Sequence, residues 1–226
     1  MPLLEIQDLR KAFALPGGSP HEVIAVSHFE LAEGEELALA GESGSGKSTF
    51  LNLIAGILTP DAGRVVLAGR EMSALSESAR DRWRALNLGY VFQSFNLLQG
   101  YTCLENVVLG MAFGPGADRS RAESLLRRVG LGDRLHHRPR QLSFGQQQRV
   151  AVARALASHP KLVLADEPTG NLDARHAGDV MVLIRETCRE AGAALLLVSH
   201  DREVLAGFPR VELMAEINRA AAEGGR

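Results

Sequence analysis

Eight residues constrain this chain more than any others: Gly41-Glu42-Ser43-Gly44-Ser45-Gly46-Lys47-Ser48, a complete G-x-x-x-x-G-K-S pattern. Their surroundings matter as much as the pattern. Glu36-Leu37-Ala38-Leu39-Ala40 reads as a buried strand before it, and Phe50, Leu51, Leu53, Ile54 and Ile57 recur at helical spacing after it. Strand, glycine-rich turn and helix in that order make a phosphate-binding loop. Glycines adopt positive φ and let backbone N–H groups approach an anion, and the helix N-terminus adds unpaired donors. Lys47 is placed to reach the β- and γ-phosphates of a nucleotide, and the Ser48 hydroxyl to ligate Mg²⁺.

The rest of the chain has the rhythm that such a unit needs. Leu3–Leu9, Val23–Val26 and Glu30-Leu31 read as short strands, with a turn at Leu15-Pro16-Gly17-Gly18-Ser19-Pro20. Arg64–Leu67 gives another strand, and Leu88–Phe92 a buried one ending at Gln93. From about Ser94 to Ser158 the pattern turns helical, most clearly over Arg121–Val129 and Gln146–Ala157. Leu162–Ala165 and Ala194–Ser199 are apolar strands flanking a helix over Ala177–Glu190. This βαβ alternation implies an α/β protein with a parallel sheet, whose ligands lie at the carboxyl ends of the strands. Gly41–Ser48, Gln93, Asp166-Glu167 and His200 all fall at such ends.

Composition narrows the class further. A chain of 226 residues with 46% hydrophobic and 23% charged content has ample core for one large domain. A formal net charge of −2 leaves no electrostatic footprint for nucleic acid or an anionic membrane. Cys103 and Cys188 form no spaced motif and are expected to be reduced, buried thiols. The start, MPLLEIQDLRK, lacks a basic segment followed by an apolar one, so no signal peptide is expected. The apolar run Ala193–Val198 is too short to span a bilayer, so any membrane role is expected to come through a partner.

Other residues are ambiguous one at a time. Asp166 and Glu167 end an apolar strand and precede Pro168-Thr169-Gly170, which favours a metal-binding acid and a general base over a solvated strand end. Gln93 alone is an ordinary surface amide. His200 after Leu195–Ser199 reads, taken alone, as a structural histidine rather than a catalytic one. Phe13 is either core or an adenine platform. Ser143-Phe144-Gly145-Gln146 opens a helix, so it offers N–H groups to a second anion.

Taken together, GESGSGKST (41–49), Gln93, LSFGQ (142–146), LVLADE (162–167), NLD (171–173) and VSH (198–200) resemble the ABC-type ATPase domain over nearly the whole chain. GYVFQ, LTPDAGRV, LENV and LADEPTGNLD are most similar to the lipoprotein-release and macrolide-export branch of LolD, MacB and FtsE. The resemblance implies a RecA-like P-loop core with an N-terminal antiparallel β subdomain and an inserted α-helical subdomain. It implies one domain over 1–226, with 1–93 and 159–226 as core and β subdomain and 94–158 as the helical part.

The resemblance also assigns roles. Phe13 stacks on adenine, and Gly41, Glu42, Ser43, Gly44, Ser45, Gly46, Lys47, Ser48 and Thr49 wrap the phosphates of ATP. Ser48, Gln93 and Asp166 hold Mg²⁺, Glu167 polarises the attacking water, and His200 contacts the γ-phosphate. Ser143, Gly145 and Gln146 complete the nucleotide site of a second ATPase subunit, with Asp173 at the dimer seam. A separate transmembrane permease is the implied partner, which places the chain at the cytoplasmic face of the cell membrane, and no nucleic acid is expected. The alternative is a soluble ABC ATPase acting on ribosomes or DNA. Those relatives carry paired domains, coiled coils or zinc modules, none of which this sequence contains.

Two positions depart from the family. Phe144 stands where LSGGQ has its first glycine. If that position requires positive φ, phenylalanine there costs about 1 kcal/mol or more; if its side chain points away from ATP, the cost is small, and tolerance is expected. After His200, FPRVELMAEINRAAAEGGR replaces strands joined by an Asp-Gly turn and reads as an amphipathic helix with a polar tail.

Overall fold

The computed structural model describes residues 1–14 and 20–220, so most of the expected turn at 15–20 and the last residues of the polar tail lie outside the described residues. In chain order the elements are β1 (Leu4–Ala14), β2 (Pro20–Leu31), β3 (Glu36–Ala40), α1 (Lys47–Ile54), β4 (Ala62–Leu67), β5 (Arg70–Glu71), α2 (Glu77–Asn87) and β6 (Leu88–Val91). There follow α3 (Cys103–Leu109), α4 (Arg119–Arg128), α5 (Phe144–Ala155), β7 (Leu162–Asp166), α6 (Ala174–Ala191), β8 (Ala194–Ser199), α7 (Arg202–Ala206), β9 (Arg210–Leu213) and α8 (Met214–Ile217). The chain divides into two compact units, Met1–Arg80 with the residues from Leu196 onward, and Asp81–Leu195.

In the first unit an antiparallel sheet has the order β2-β1-β4-β5. Leu4 and Ile6 are buried at alternate positions, opposite Leu31 and Phe29 on β2 and Leu67 and Val65 on β4. The next buried residue is Leu9 rather than residue 8. Asp8 takes a left-handed backbone, φ 48°, and the register against β4 slips between Gln7 and Arg10. This bulge shifts the alternation by one residue and keeps Leu9 inside. Gly63 opposite must lack a side chain, because a Cβ there would meet the Asp8 carbonyl oxygen at 2.3 Å. The segments Val23–Val26 and Glu30-Leu31, expected as two strands, are one: the ladder continues through Gln7 opposite His28, and the polar Ser27-His28 face outward. Phe29 and Phe50 of α1 meet edge to face at 5.4 Å in the core beneath.

Within the first unit β3, buried at all five positions, pairs with β9 from Leu37 opposite Arg210 to Ala40 opposite Leu213. Part of the segment expected as a C-terminal amphipathic helix is therefore an edge strand, followed by a four-residue helix. Free ladder positions along β3 outweigh the weak helical preference of so short a stretch. Arg210 Nη1 also donates to Glu35 at 2.7 Å, tying β9 to the turn before β3.

In the second unit β6 and β7 pair in parallel, Leu88 with Leu162 through Val91 with Ala165. Leu104, Val107, Leu126, Leu131, Val150 and Ala153 join a buried cluster that packs α3, α4 and α5 together. Helix α2 was not foreseen: Ala79, Trp83 and Leu86 recur at helical spacing, but only Asn87 of its residues is buried. Cys103 and Cys188 are both buried thiols. Among the described residues no helix is long and apolar enough to cross a membrane.

Candidate nucleotide site

The first unit holds the glycine-rich loop, Phe13 and His200. The loop follows β3, and α1 begins immediately after it. Gly46 is the N-cap of α1 with φ 93°, and no side chain caps the helix. A helix start of this kind is where an anion meets backbone N–H groups. A Cβ on Gly46 would lie 3.0 Å from the Val23 carbonyl oxygen and from Ile24 Cδ1, so glycine is demanded by backbone angle and by space. Lys47 is buried, and its ammonium donates to the Gly41 and Glu42 carbonyls at 2.7 and 2.8 Å, which holds it over the loop. The Ser45 hydroxyl is buried without a hydrogen-bond partner, a donor that a phosphate oxygen would satisfy. Ser48 is exposed at the helix start, and Thr49 is half-buried beside it. Phe13 lies on β1, 40% exposed, with the Lys11 ammonium 5.7 Å from its ring centre. It is therefore not a core residue. His200 is exposed at the end of β8.

The second unit holds the remaining predicted residues. Asp166 ends β7, and Glu167 follows, buried and with φ 44°. A left-handed backbone is uncommon at a non-glycine residue. Tyr90 on β6 hydrogen-bonds the Asp166 side chain; burial first, and then the Asp166 charge, push its phenol well above the usual range. The phenol therefore stays a neutral donor and orients the carboxylate. Sequence reasoning missed Tyr90, because only the β6–β7 register brings it to Asp166. Gln93 is exposed just past β6; its carbonyl accepts from Asn171 Nδ2 at 2.7 Å, and its side-chain nitrogen would lie 3.1 Å from a Cβ on Gly170. The Gln93 loop and the Gly170-Asn171 turn are thus in direct contact.

Ser143 is the N-cap of α5, and Ser143 and Gln146 cap each other. The serine hydroxyl accepts from Gln146 N at 3.3 Å, and the Gln146 side chain accepts from Ser143 N at 3.0 Å. Phe144 is the first residue of α5 and lies outside the left-handed region. The substitution therefore stores no backbone strain. Its ring is 64% exposed and tilts against Phe95 at 6.1 Å between centres. Gly145 is half-buried, with the His176 ring 3.8 Å from where its Cβ would stand. Gln148, wholly buried on the same helix, donates to the Pro168 carbonyl at 2.7 Å and so fixes the turn after Glu167. Asp173 caps α6, accepting from His176 N at 3.1 Å and lying 2.8 Å from His176 Nδ1.

A strand, a glycine-rich loop and a lysine-led helix in an α/β fold define a P-loop nucleoside triphosphatase. A family profile described as ABC transporter matches residues 25–170, and the chain belongs to that family. It is 46% identical over 215 residues to the lipoprotein-releasing system ATP-binding protein LolD of Pseudomonas fluorescens, covering 92% of this chain and 93% of that protein. Among solved structures, the dimeric post-hydrolysis state of the ATP-binding cassette MJ0796 bound to ADP and Pi superposes with a TM-score of 0.84 at 34% identity. A second dimeric structure of MJ0796, a bacterial ABC transporter cassette, gives 0.84 at 35%. Both comparisons cover 93% of each chain. The protein is accordingly an ATP-binding, ATP-hydrolysing ABC ATPase, the energy-supplying subunit of a transporter.

Proposed function

We propose that the chain powers an exporter or a lipoprotein-release complex, and that two copies close head to tail on two ATP molecules and open after hydrolysis. The identity to a LolD protein over nine-tenths of the chain carries this reading, and the dimeric solved relatives support the assembly. In it Lys47 and the start of α1 hold the β- and γ-phosphates, and Phe13 receives the adenine. Ser48, Gln93 and Asp166 supply hydroxyl, amide and carboxylate oxygens, the hard donors that Mg²⁺ takes. When bound, Mg²⁺ neutralises phosphate charge. Glu167 accepts the proton of the attacking water, and His200 orients the γ-phosphate, giving ADP and phosphate. Ser143, Gly145 and Gln146 serve the ATP of the second copy, and Asp173 lies at the seam. Ser143 accepts one bond as a cap and still has its own hydroxyl proton to donate, so capping and phosphate binding are compatible.

The membrane partner in this reading is a separate permease, which would hold the chain at the cytoplasmic membrane face. A cavity of about 660 Å³ lined by Gln99, His136, Arg138 and Arg140 lies in the second unit, in a segment that also exposes Leu98 and Tyr101. Its charge and apolar neighbours favour an acidic, partly apolar segment of the permease.

Glu167→Gln tests the chemistry. The variant should keep its ATP affinity, lose turnover and accumulate as a dimer with ATP in light scattering; normal turnover would remove Glu167 from the mechanism. Co-purification with a membrane protein supports the transporter assignment, whereas isolation with ribosomes or DNA overturns it.

A further inference from the structure

The last turn of the described chain touches the phosphate-binding loop at both ends. Met214 is wholly buried and stands so close to Gly41 that a Cβ on the glycine would come within 3.0 Å of the methionine Cβ. Asn218 is 0% exposed, follows α8 and bridges Val26 on β2. Its amide is used on both sides. Oδ1 accepts from Ala25 N at 2.7 Å, while Nδ2 donates to the Val23 carbonyl at 2.9 Å and the Ser45 carbonyl at 3.3 Å. The same Nδ2 would stand 3.3 Å from a Cβ on Gly46.

This contact governs a peptide plane. Gly44 and Gly46 have φ of 84° and 93°, angles that glycine adopts at little cost, and Asn218 Nδ2 is the side-chain donor on the Ser45 carbonyl between them. The Ser45 carbonyl and the Gly46 N–H belong to one planar trans peptide and point in opposite directions. Holding the carbonyl towards Asn218 therefore aims the Gly46 N–H away from it, towards the side where the phosphates are taken.

We propose that Met214–Asn218 is a brace for the phosphate-binding loop, and that Asn218 is its positioning residue. The proposal rests on reading Gly41–Thr49 as the cradle for the phosphates of ATP. Asn218 touches no substrate; it acts through Ser45 and Gly46.

The test compares the full chain with Asn218→Ala and Asn218→Asp, using Mg-ATP. Aspartate keeps the acceptor for Ala25 N and removes the donors to Val23 and Ser45, so it leaves one anchor of the tail in place while the loop contact is lost. Loss of the hydrogen bond to Ser45, common to both variants, predicts a KM for ATP raised about tenfold in each, with kcat changed less than about twofold. Amide hydrogen exchange across 41–48 should quicken without nucleotide. Folded variants with wild-type KM and unchanged exchange over 41–48 would overturn the brace. If the alanine variant does not fold, the aspartate variant decides. A wild-type chain that fails to hydrolyse ATP would instead sink the reading of the cradle, and the nucleotide-free exchange comparison would still judge the brace.

Discussion

The two helix starts that the proposed function sets against phosphate begin in opposite ways. Helix α1 opens on a left-handed glycine, with no side chain on its N–H groups. Helix α5 opens on a serine and a glutamine that satisfy each other. A capped start is stable by itself; an uncapped one keeps its donors for a ligand. The first is thus built to bind and the second to be presented, rigid in advance, to a nucleotide held elsewhere. The two starts also treat bulk differently. Gly46, the N-cap of α1, tolerates no Cβ, whereas Phe144, the residue after the N-cap of α5, stands largely in solvent.

Substitutions can break that contrast. The largest effect is expected for Lys47→Ala, which should weaken ATP binding about a hundredfold by removing a charge-assisted phosphate contact; unchanged binding in calorimetry would contradict the phosphate-loop assignment. Gly46→Ala comes next. The left-handed angle alone costs about 1–2 kcal/mol, and contact with the Val23 carbonyl adds to it, so both thermal stability and ATP affinity should fall. Ser143→Ala should lose about 1 kcal/mol of stability with its cap and lower ATP turnover about tenfold or more, as does loss of other oriented phosphate donors. Nucleotide affinity of the isolated monomer should not change, and weakened monomer binding would mean that Ser143 serves its own chain. The smallest effect is expected for Phe144→Gly. Removing a helical residue's side chain there should cost under about 1 kcal/mol, measured by denaturant unfolding; a gain in stability would mean that Phe144 is strained after all.

The readable and unreadable parts of the site differ in their physics. The phosphate loop was legible because its determinants are local: glycines at left-handed angles, and a lysine one residue after the last of them. The start of α5 was legible too, since Ser143-Phe144-Gly145-Gln146 is expected to open a helix and Ser143 is its N-cap, with serine and glutamine at capping-box spacing. Helix α2 was harder to read because its apolar residues, Ala79, Trp83, Ala85 and Leu86, are few and none of them is buried. The strand β9 was illegible because its reason to be extended lies on β3.

The sequence by itself determined the class of the fold, the phosphate chemistry and the identity of the charged residues, because each rests on neighbours within a few positions along the chain. Tertiary structure alone decided how those residues are aimed. Tyr90 reaches Asp166 through the pairing of β6 with β7. Asn218 reaches Ser45 across 173 residues of chain. Glu167 takes a backbone angle that its own side chain disfavours. Such contacts leave no periodic trace in sequence, since each depends on a single pair of groups made close by packing rather than on a repeating pattern.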